Sequence, residues 1–375
     1  MHWQDELATL LRPAGGGIHT VSTGKAAQER LQLALYRARD AAHVRAQFRE
    51  NLARIPEARG VVLGVPSDVG AGFVRGANFG PQVIRATLLE QAPDWPARTA
   101  AAGIVDIGDV FVVPQLLHDD MLSEAQLQAT RLALYPDVDP AERDRLPVSP
   151  LSIAERVMDL VLAQNPRIAP FVIGGDHSTA WPIAAALARA RRDRWAILQP
   201  DAHTDLLEAR LGVKYCFATW SYHANELFGR DGRLVQVGTR ASGRDRAHWE
   251  STLGVRQFWA AECRAHPART LDAIVDHFRS VKAEAVYLSN DIDGTDEEHA
   301  DATGTPEPWG LDPEWLVKLI RRVGDEIGML GGDIMEVAPP LRPSIVVRPR
   351  SASRTTDLAA RYLRETMNAT LGIAL

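Results

Sequence analysis

Short apolar runs alternate with longer helical patterns along most of this chain. From Gly60 onward the apolar runs end in Gly or Asp, as buried strands of a parallel sheet often do. Strands that alternate with helices in this way are typical of βα units in an α/β protein. The predicted strands are 61–63, 171–173, 195–198, 234–237, 285–288 and 327–330. The predicted helices are 153–164, 181–191, 269–278, 313–323 and 355–367.

Two segments depart from this rhythm. Residues 1–59 contain a Gly-rich loop at 15–17 and then a polar helical pattern over 25–54. We interpret them as an N-terminal helical extension that packs on the core, on a neighbouring subunit or over a neighbouring pocket. The segment 112–150 is rich in Asp, Pro and Leu, which indicates an insertion near one edge of the sheet. The predicted organisation is an extension over 1–59 and one large α/β domain over 60–375.

Composition and charge narrow the possible partners. The chain has 375 residues, 46% of them hydrophobic and 24% charged, so it can bury a large core. A net charge of −6 with scattered basic residues argues against nucleic-acid binding. No stretch approaches the roughly 20 apolar residues that span a bilayer, so we expect no membrane partner. Cys216 and Cys263 are too few for a disulfide framework, and the N-terminus lacks a signal-peptide pattern, which together predict a cytoplasmic protein.

Three of the predicted strands run directly into side chains that bind metal ions. His177 follows the first of them in the sequence FVIGGDHS, where two glycines allow a tight turn. The second strand leads into QPDAHTD and the third into SNDIDGTD. Because ligands bind outside the carboxyl ends of parallel strands, we expect the three clusters to meet at one edge of the sheet.

These clusters predict a dinuclear metal site. Within the second and third clusters the ligands alternate with other residues, so an extended segment projects them to one side. Imidazoles and carboxylates suit Mn²⁺, Fe²⁺, Co²⁺, Ni²⁺ or Zn²⁺, and two divalent ions would neutralise four buried carboxylates. A single histidine or Asp-x-Asp pair is more often structural, but three clusters at strand ends favour the metal site. The predicted ligands are His177, Asp201, His203, Asp205, Asp291 and Asp293.

These motifs resemble those of the ureohydrolase family, which includes arginases, agmatinases, guanidino-acid hydrolases, guanidine hydrolases and formimidoylglutamases. The resemblance covers residue 60 to the C-terminus and makes 60–375 a ureohydrolase catalytic domain. It implies a three-layer αβα sandwich with an eight-stranded, mostly parallel sheet. It also implies a homotrimer or homohexamer and two divalent ions, Mn²⁺ or Ni²⁺. Further matching segments are GVPSDVGAGFVRGANFGPQVIR at 64–85, VQVGTR at 235–240, ATGTPEP at 302–308 and GGDIMEV at 331–337.

The resemblance also assigns roles to individual residues. It implies that Asp201 and Asp291 bridge the two metals, which lower the pKa of a shared water and make a nucleophile at neutral pH. Glu336 would hold the guanidinium of the substrate, and Asp205 would pass a proton to the departing amine. The implied reaction is hydrolysis of a guanidino C–N bond to urea plus ammonia or an amine. The first metal would be completed by His177 and Asp205, and the second by His203 and Asp293.

One stretch departs from the family pattern. Agmatinases and arginases have a His–Gly pair after DAHxD, but here the sequence KYCFATWSYHA puts Phe217 in the position of that histidine. His223 follows six residues later, so the usual proton shuttle is in question. We expect Phe217, Trp220 and His223 to contact the substrate together with Glu336. The aromatic residues of this stretch predict a narrow cavity and favour a small substrate such as guanidine; they are Tyr215, Phe217, Trp220 and Tyr222.

Other functions stay open at this stage. Lys214 or Arg240 could reach into the cavity and bind a carboxylate, which would suit a guanidino-acid hydrolase. An agmatinase or a formimidoylglutamase-like enzyme has the same ligand set. A non-catalytic subunit that partners an active paralogue is the alternative from another class. The intact ligand set and Glu336 favour an enzyme, and release of urea by the purified chain separates the two classes.

Overall fold

The computed structural model describes residues 1–18, 22, 24–72, 74–339 and 349–375. The strands are β1 (Leu11–Arg12), β2 (Gly60–Gly64), β3 (Ile104–Val110), β4 (Ala169–Ile173), β5 (Trp195–Pro200), β6 (Leu234–Val237), β7 (Arg256–Phe258), β8 (Ala285–Asp291) and β9 (Met329–Met335). The α-helices are α1 (Trp3–Leu10), α2 (Lys25–Leu35), α3 (Ala41–Ala53), α4 (Gly80–Gln91), α5 (Trp95–Ala101), α6 (Glu124–Leu134), α7 (Pro140–Arg143), α8 (Pro150–Gln164), α9 (Trp181–Ala190), α10 (Trp220–Phe228), α11 (Arg246–Leu253), α12 (Ala260–Ala265), α13 (Pro267–Ser280), α14 (Pro313–Glu326) and α15 (Pro349–Leu371).

All of these strands belong to one sheet in the order β1-β3-β2-β4-β9-β8-β5-β6-β7. β1 pairs antiparallel with β3, and the other neighbouring strands are parallel. The expected eight strands correspond to β2–β9, and the expected number is wrong by one because β1 comes from the N-terminal segment. A strand of two residues leaves no periodic pattern in the sequence, so only the structure reveals it.

Helices cover both faces of the sheet. Alternate residues of β2 point to opposite faces, and each face has its own buried apolar cluster. Val61 and Leu63 lie in the cluster that includes residues of α8 and α9. Val62 lies in the cluster that includes residues of α14 and α15. The three-layer α/β architecture expected from the sequence is therefore confirmed.

Every predicted strand overlaps an observed one, but β1, β3 and β7 have no counterpart among the predictions. The sequence of β3 contains two acidic residues, which interrupt the apolar run by which a buried strand is recognised. Both carboxylates are bound by the buried Arg85 of α4, with Arg85 Nε 2.8 Å from Asp106 Oδ2 and Nη1 2.5 Å from Asp109 Oδ1. Burial of such charges is tolerable only when they are paired and hydrogen-bonded. Their partner lies about twenty residues earlier in the chain, beyond the reach of a local pattern.

The N-terminal segment packs against the core of its own chain. Leu7 and Leu10 of α1 are fully buried in the apolar cluster that also holds Val61 of the central sheet. The backbone N–H of Gly15 donates to Asp109 of β3 over 2.7 Å. The polar pattern over 25–54 is two helices, α2 and α3, separated at Tyr36. These contacts join the first residues of the chain to the sheet at the β3 edge.

The segment 112–150 contains α6 and α7 and returns to the core at the start of α8. Its conformation is held by local polar contacts, such as the hydroxyl of Tyr135, which donates to the carbonyl of Pro147 over 2.6 Å. In the described part of the chain, no helix has both the length and the apolar composition needed to cross a bilayer.

Candidate active site

The predicted ligands lie at the carboxyl ends of neighbouring strands. β4, β9, β8 and β5 are consecutive in the sheet. His177 follows β4, Asp201 follows β5, Asp291 ends β8 and Glu336 follows β9. The turn after β4 needs glycine, because a Cβ on Gly175 would collide with the carbonyl of Ser67. The parallel arrangement puts all four strand ends on one edge, where the structure brings the ligand clusters together.

Two groups of three ligands share Asp201. His177, Asp201 and Asp205 form the first group, and Asp201, His203 and Asp293 form the second. His177 Nδ1 lies 3.3 Å from Asp201 Oδ2 and 3.4 Å from Asp205 Oδ2. His203 Nδ1 lies 3.6 Å from Asp201 Oδ1 and 3.1 Å from Asp293 Oδ2. The two oxygens of Asp201 thus face different histidines, as a bridging ligand requires.

Asp291 stands beside the first group. Its Oδ2 lies 3.0 Å from His177 Nδ1, and its Oδ1 accepts a hydrogen bond of 2.9 Å from the backbone N–H of Asp293. Asp291 and Asp293 are 3% and 1% exposed, so both carboxylates are shielded from water. Nitrogen and oxygen donors in two groups around a shared carboxylate fit a pair of divalent ions.

The carboxylates perturb one another's ionisation. Burial, and then the charge of Asp201, raises the pKa of Asp205 well above its usual value. Burial and the charge of Asp293 do the same to the pKa of Asp291. Burial lowers the pKa of His203, but the charges and hydrogen bonds of Asp293 and Asp201 outweigh it and raise that pKa to about 12. The shifts have a common origin, the crowding of several buried carboxylates around two imidazoles.

Two residues of the site have strained backbones. Asp205 and Glu336 have φ angles of 53° and 62°, a left-handed conformation that costs a non-glycine residue about 1–3 kcal/mol. The Trp220 indole donates to Asp205 Oδ2 over 3.0 Å, which holds that carboxylate in place. The backbone N–H of Glu336 donates to Gly175 over 2.8 Å. Both residues are also candidates for direct roles in the reaction. Backbone strain is therefore found at the residues predicted to act on the substrate.

Behind His177 a serine and a carboxylate fix the orientation of its ring. His177 Nε2 lies 3.0 Å from Ser289 Oγ, and Ser289 donates onward to Asp333 Oδ1 over 3.0 Å. The Trp220 ring stacks on the imidazole with a centroid distance of 4.5 Å. With Nε2–H donating to Ser289, Nδ1 is left facing the acidic ligands. Such outer contacts usually set both the tautomer and the direction of a metal-binding histidine.

A ladder of three fully buried glutamines supports Asp201 from the other side. Gln199 donates to Asp201 Oδ2 over 2.7 Å, Gln236 donates to Gln199 over 2.9 Å, and Gln257 donates to Gln236 over 2.8 Å. The ladder begins at Trp259, whose indole N–H donates to Gln257 over 2.9 Å. Because an indole N–H can only donate, it fixes the direction of every amide in the ladder.

The sequence analysis missed this ladder, of which only part leaves a signal in the sequence. Gln199 and Gln236 are polar residues within the apolar runs of β5 and β6, whereas Gln257 lies in β7, whose sequence Arg-Gln-Phe has no apolar run. In the sheet Gln199 is paired with Gln236, and Gln236 with Gln257. Polar residues at matching positions of consecutive buried strands indicate a hydrogen-bonded row, since buried polar groups need partners.

Glu336 lies deep in the site. It is 5% exposed, and its Oε1 accepts a hydrogen bond of 3.0 Å from the backbone N–H of His177. Among the described residues, no side chain or backbone group donates to Oε2. The structure therefore places one carboxylate oxygen next to the metal ligands and leaves the other for a further donor.

An open cavity of about 580 Å³ leads to these ligands. Its floor, as we use the term, consists of the metal ligands, of which His203 and Asp205 line the open space. Its mouth consists of the exposed residues that line the cavity, Leu207, Arg210, Gly243, Arg244 and His248. Phe217 stands in the wall between floor and mouth. The Phe217 ring lies directly against Gly72, where a Cβ would collide with it, and its backbone N–H donates to Gly70 over 3.1 Å.

Two predicted substrate contacts need correction. Trp220 is 1% exposed and lies behind His177 and Asp205, so it supports ligands and does not face the cavity. His223 is not among the cavity-lining residues, and its Nε2 lies 3.1 Å from the carbonyl oxygens of Glu208 and Lys214. Spacing along the chain cannot separate these positions, because the packing of α10 decides them: Trp220 stacks on His177, whereas His223 lies beside Trp181 and Tyr215.

The prediction of a narrow cavity loses most of its basis in the same way. Of the four aromatic residues in the stretch, only Phe217 lines the cavity. Tyr215 stacks on Trp181 with a centroid distance of 5.1 Å, and Tyr222 lies beside Arg230, outside the cavity. The cations considered from the sequence do not line the cavity either. Lys214 lies over the Tyr215 ring, and Arg240 donates to several backbone carbonyls, those of Pro308, Gly238, Gly294, Asp293, Thr295 and Glu307.

Comparison with known proteins gives a consistent family. A model described as the arginase family matches residues 58–368. The chain is 31% identical over 287 residues to a guanidinobutyrase of Pseudomonas aeruginosa, with 74% of this chain and 78% of that protein covered. It is also 31% identical over 288 residues to a mitochondrial agmatinase of Gallus gallus, with 74% and 73% covered. The solved structure of proclavaminate amidino hydrolase from Streptomyces clavuligerus superposes with a TM-score of 0.61 at 26% identity, covering 84% of this chain and 94% of that one.

The family match covers most of the chain, and the relatives named above act on different guanidino compounds at the same level of identity. Proteins of this family are dinuclear metal enzymes, and the two ligand groups around Asp201 fit that chemistry. The resemblance stated from the sequence is therefore confirmed. This chain belongs to the arginase family and is a hydrolase of guanidino C–N bonds.

Proposed function

We propose that this protein binds two divalent metal ions and hydrolyses a guanidino compound to urea plus ammonia or an amine. The observation that supports this best is the pair of ligand groups that share Asp201 at the ends of β4, β5 and β8. The first ion would be held by His177, Asp205 and the shared carboxylates. The second would be held by His203 and Asp293 with the same carboxylates, Asp201 and Asp291.

The residues of the chain bind and orient the substrate and move a proton. Glu336 Oε2 accepts from the planar guanidinium, a geometry that suits a carboxylate. His177 N–H holds the other oxygen of Glu336, so the carboxylate keeps one orientation. Asp205, fixed by Trp220, accepts a proton from the attacking water and passes it to the leaving amine. When bound, the two ions polarise the substrate and acidify that water.

We further propose Mn²⁺ or Ni²⁺ as the metal and a homotrimer or homohexamer as the assembly. The mixed imidazole and carboxylate donors of the site are compatible with both ions. The assembly rests on the family resemblance alone.

Two kinds of guanidino substrate are consistent with the cavity. The Phe217 ring takes up space in the wall beside Asp205, which favours free guanidine or a short alkylated guanidine as the substrate. The sequence favoured the same substrate. A volume of about 580 Å³ also accommodates a longer guanidino acid, and one relative is a guanidinobutyrase.

The test measures urea, ammonia and formamide released from a panel of compounds by the purified chain. The panel contains guanidine, methylguanidine, guanidinoacetate, 4-guanidinobutyrate, agmatine, arginine and formiminoglutamate, each assayed with Mn²⁺ or Ni²⁺ and after chelation. We expect metal-dependent urea release from at least one guanidino compound. Formamide without urea would instead support a formimino hydrolase, and no product from a protein with two bound ions would support a non-catalytic subunit.

A further inference from the structure

The mouth of the cavity contains two arginines that have no acidic partner among the described residues. Arg210 and Arg244 both line the cavity and are both exposed. Arg240 nearby is different, because its guanidinium donates to the backbone carbonyls of Asp293 and Glu307. In the part of the chain that the structure describes, no ion pair or hydrogen bond involves the side chain of Arg210 or Arg244. Their guanidinium groups are therefore available to a ligand.

Both arginines stand on well-defined supports. The Arg210 guanidinium lies 4.7 Å from the centroid of the Phe217 ring, a cation–π arrangement that holds it over the cavity wall. Its backbone closes a tight turn with Val213 through two hydrogen bonds of 2.9 Å. The Arg244 backbone N–H donates to Ser242 Oγ over 3.3 Å, and the Trp249 indole donates to the same oxygen over 2.9 Å.

Floor and mouth have opposite charge. The floor has carboxylates that exceed what its histidines neutralise, and Glu336 lies beside it. Bound divalent ions would neutralise the ligands and leave Glu336 to attract the guanidinium. The mouth has two cations that would repel a substrate with a second positive charge. A molecule with a guanidinium at one end and an anionic group at the other matches both ends of the cavity.

On this basis we propose that the substrate is a guanidino acid and that Arg210 and Arg244 bind its terminal carboxylate. The inference rests on the proposed function, since it names the substrate class for that same site. Arginine suits this role because its planar group of donors matches the two oxygens of a carboxylate. Phe217 then acts as the support for Arg210, and not as a filler that excludes longer molecules.

The test compares 4-guanidinobutyrate, agmatine and methylguanidine on the wild type, Arg210→Met, Arg244→Met and the double variant. We expect each single variant to lower kcat/KM for 4-guanidinobutyrate about tenfold to a hundredfold through KM, the loss typical of a charge-assisted hydrogen bond. Turnover of methylguanidine should fall much less than that of 4-guanidinobutyrate, because methylguanidine has no carboxylate for these arginines to bind. Agmatine should become a better substrate, since a repulsive charge has been removed.

Arg230→Met is the matched control. Arg230 is also exposed and also lies over an aromatic ring, that of Tyr222 at 5.8 Å, but it does not line the cavity. It should leave all three substrates unaffected. Calorimetric binding of 4-guanidinobutyrate to the metal-loaded proteins adds a readout that does not depend on turnover.

The outcomes separate the inference from the function it rests on. If guanidino compounds are hydrolysed but the ratio of 4-guanidinobutyrate to agmatine is the same in the wild type and the double variant, the carboxylate site is refuted. If no guanidino compound is hydrolysed, but 4-guanidinobutyrate binds the wild type at least tenfold more tightly than the double variant, the site stands and the proposed function fails. Equal binding by both proteins refutes the site.

Discussion

The floor of the cavity and its mouth are built in opposite ways. On the floor, Asp201 is held by the glutamine ladder and His177 by Ser289 and Trp220, all of them buried. At the mouth, Arg210 and Arg244 extend from loops, and their guanidinium groups have no protein acceptor among the described residues. The floor is thus fixed before any ligand arrives, whereas the mouth is completed by the ligand.

This difference suggests how one fold can serve several substrates. Chemistry that depends on the position of two metal ions needs ligands whose orientations are already fixed. Recognition of the far end of a substrate needs only a few side chains on surface loops, which can change without disturbing the core. A guanidinobutyrase and an agmatinase are equally similar to this chain, as expected if the floor is shared and the mouth varies.

The largest effect is expected from the shared ligand on the floor. Asp201→Ala removes an oxygen from both ligand groups, so we expect the content of bound metal to fall from two ions per chain to below one and turnover to be lost. Elemental analysis of the dialysed protein and a urea assay measure this. Asp301→Ala, at an exposed residue outside both groups, is the control. Two tightly bound ions in Asp201→Ala would contradict the shared-ligand arrangement.

A smaller effect on metal binding is expected from the glutamine ladder that supports Asp201. Gln236→Leu removes the donor that orients Gln199, although Ser221 still donates to the same oxygen over 2.8 Å. We expect metal affinity to fall about tenfold, at the low end of the usual effect of such outer contacts. Metal titration measures the change, and excess metal should restore turnover. Gln128→Leu on α6 is the control, and equal affinities in wild type and Gln236→Leu would show that the ladder does not act on the metals.

Asp333 offers a test through pH. Burial raises its pKa from 3.8 to about 6, with only partial compensation from His177 and Ser289. The folded state thus holds this proton more tightly than the unfolded state, so the stabilisation from protonation is present near pH 4 and is lost as pH rises through about 6. At pH 8 the buried charge destabilises the fold. At pH 8, Asp333→Asn should therefore unfold at a higher temperature than the wild type. Its free energy of unfolding should be larger by roughly 1–3 kcal/mol.

Denaturation of the metal-free proteins between pH 4 and pH 8 measures this difference. The advantage of Asp333→Asn should shrink toward pH 4, where the wild-type carboxyl is already protonated. A constant difference across this range would mean that the carboxyl does not titrate within it. Asp325→Asn, at an exposed position of α14, is the control.

The smallest effect is expected at His223. The sequence favoured it as a substrate contact, but the structure turns it away from the cavity, toward the carbonyls of Glu208 and Lys214. His223→Ala should change kcat/KM by less than about twofold, which corresponds to the roughly 0.5 kcal/mol typical of peripheral substitutions. Phe217→Ala provides the contrast, because it removes the support of Arg210. A loss in His223→Ala as large as that in Phe217→Ala would restore the original interpretation.

The sequence pattern predicted those elements whose structure is determined by residues close to one another in the chain. β6 was expected at 234–237 and is found there, because an apolar run bounded by polar residues is sufficient to identify a buried strand. The ligand clusters could be grouped because parallel strands end at a common edge. β3 was missed because its acidic residues depend on Arg85, and β1 because its pairing partner lies about a hundred residues away.

The same distinction holds within the site. His203 and Asp205 are defined by their own motif, whereas the contacts of Trp220 depend on how α10 packs against α9 and the turn that contains His177. Arg210 and Arg244 belong to no motif, and only the folded loops bring them to one cavity. Residue type and spacing therefore identified the chemistry, while the substrate-facing surface required three-dimensional information.

The short strand β1 has a consequence for how the sheet avoids the addition of a foreign strand at its edge. A sheet edge with unpaired backbone groups is a template on which another chain can add a strand. β1 covers part of the β3 edge, and Leu11 pairs with Val110 near its end. With only two residues, β1 itself offers few free backbone groups to a further strand. The N-terminal segment thus leaves fewer free backbone groups at this edge of the sheet, three strands away from β4 and His177.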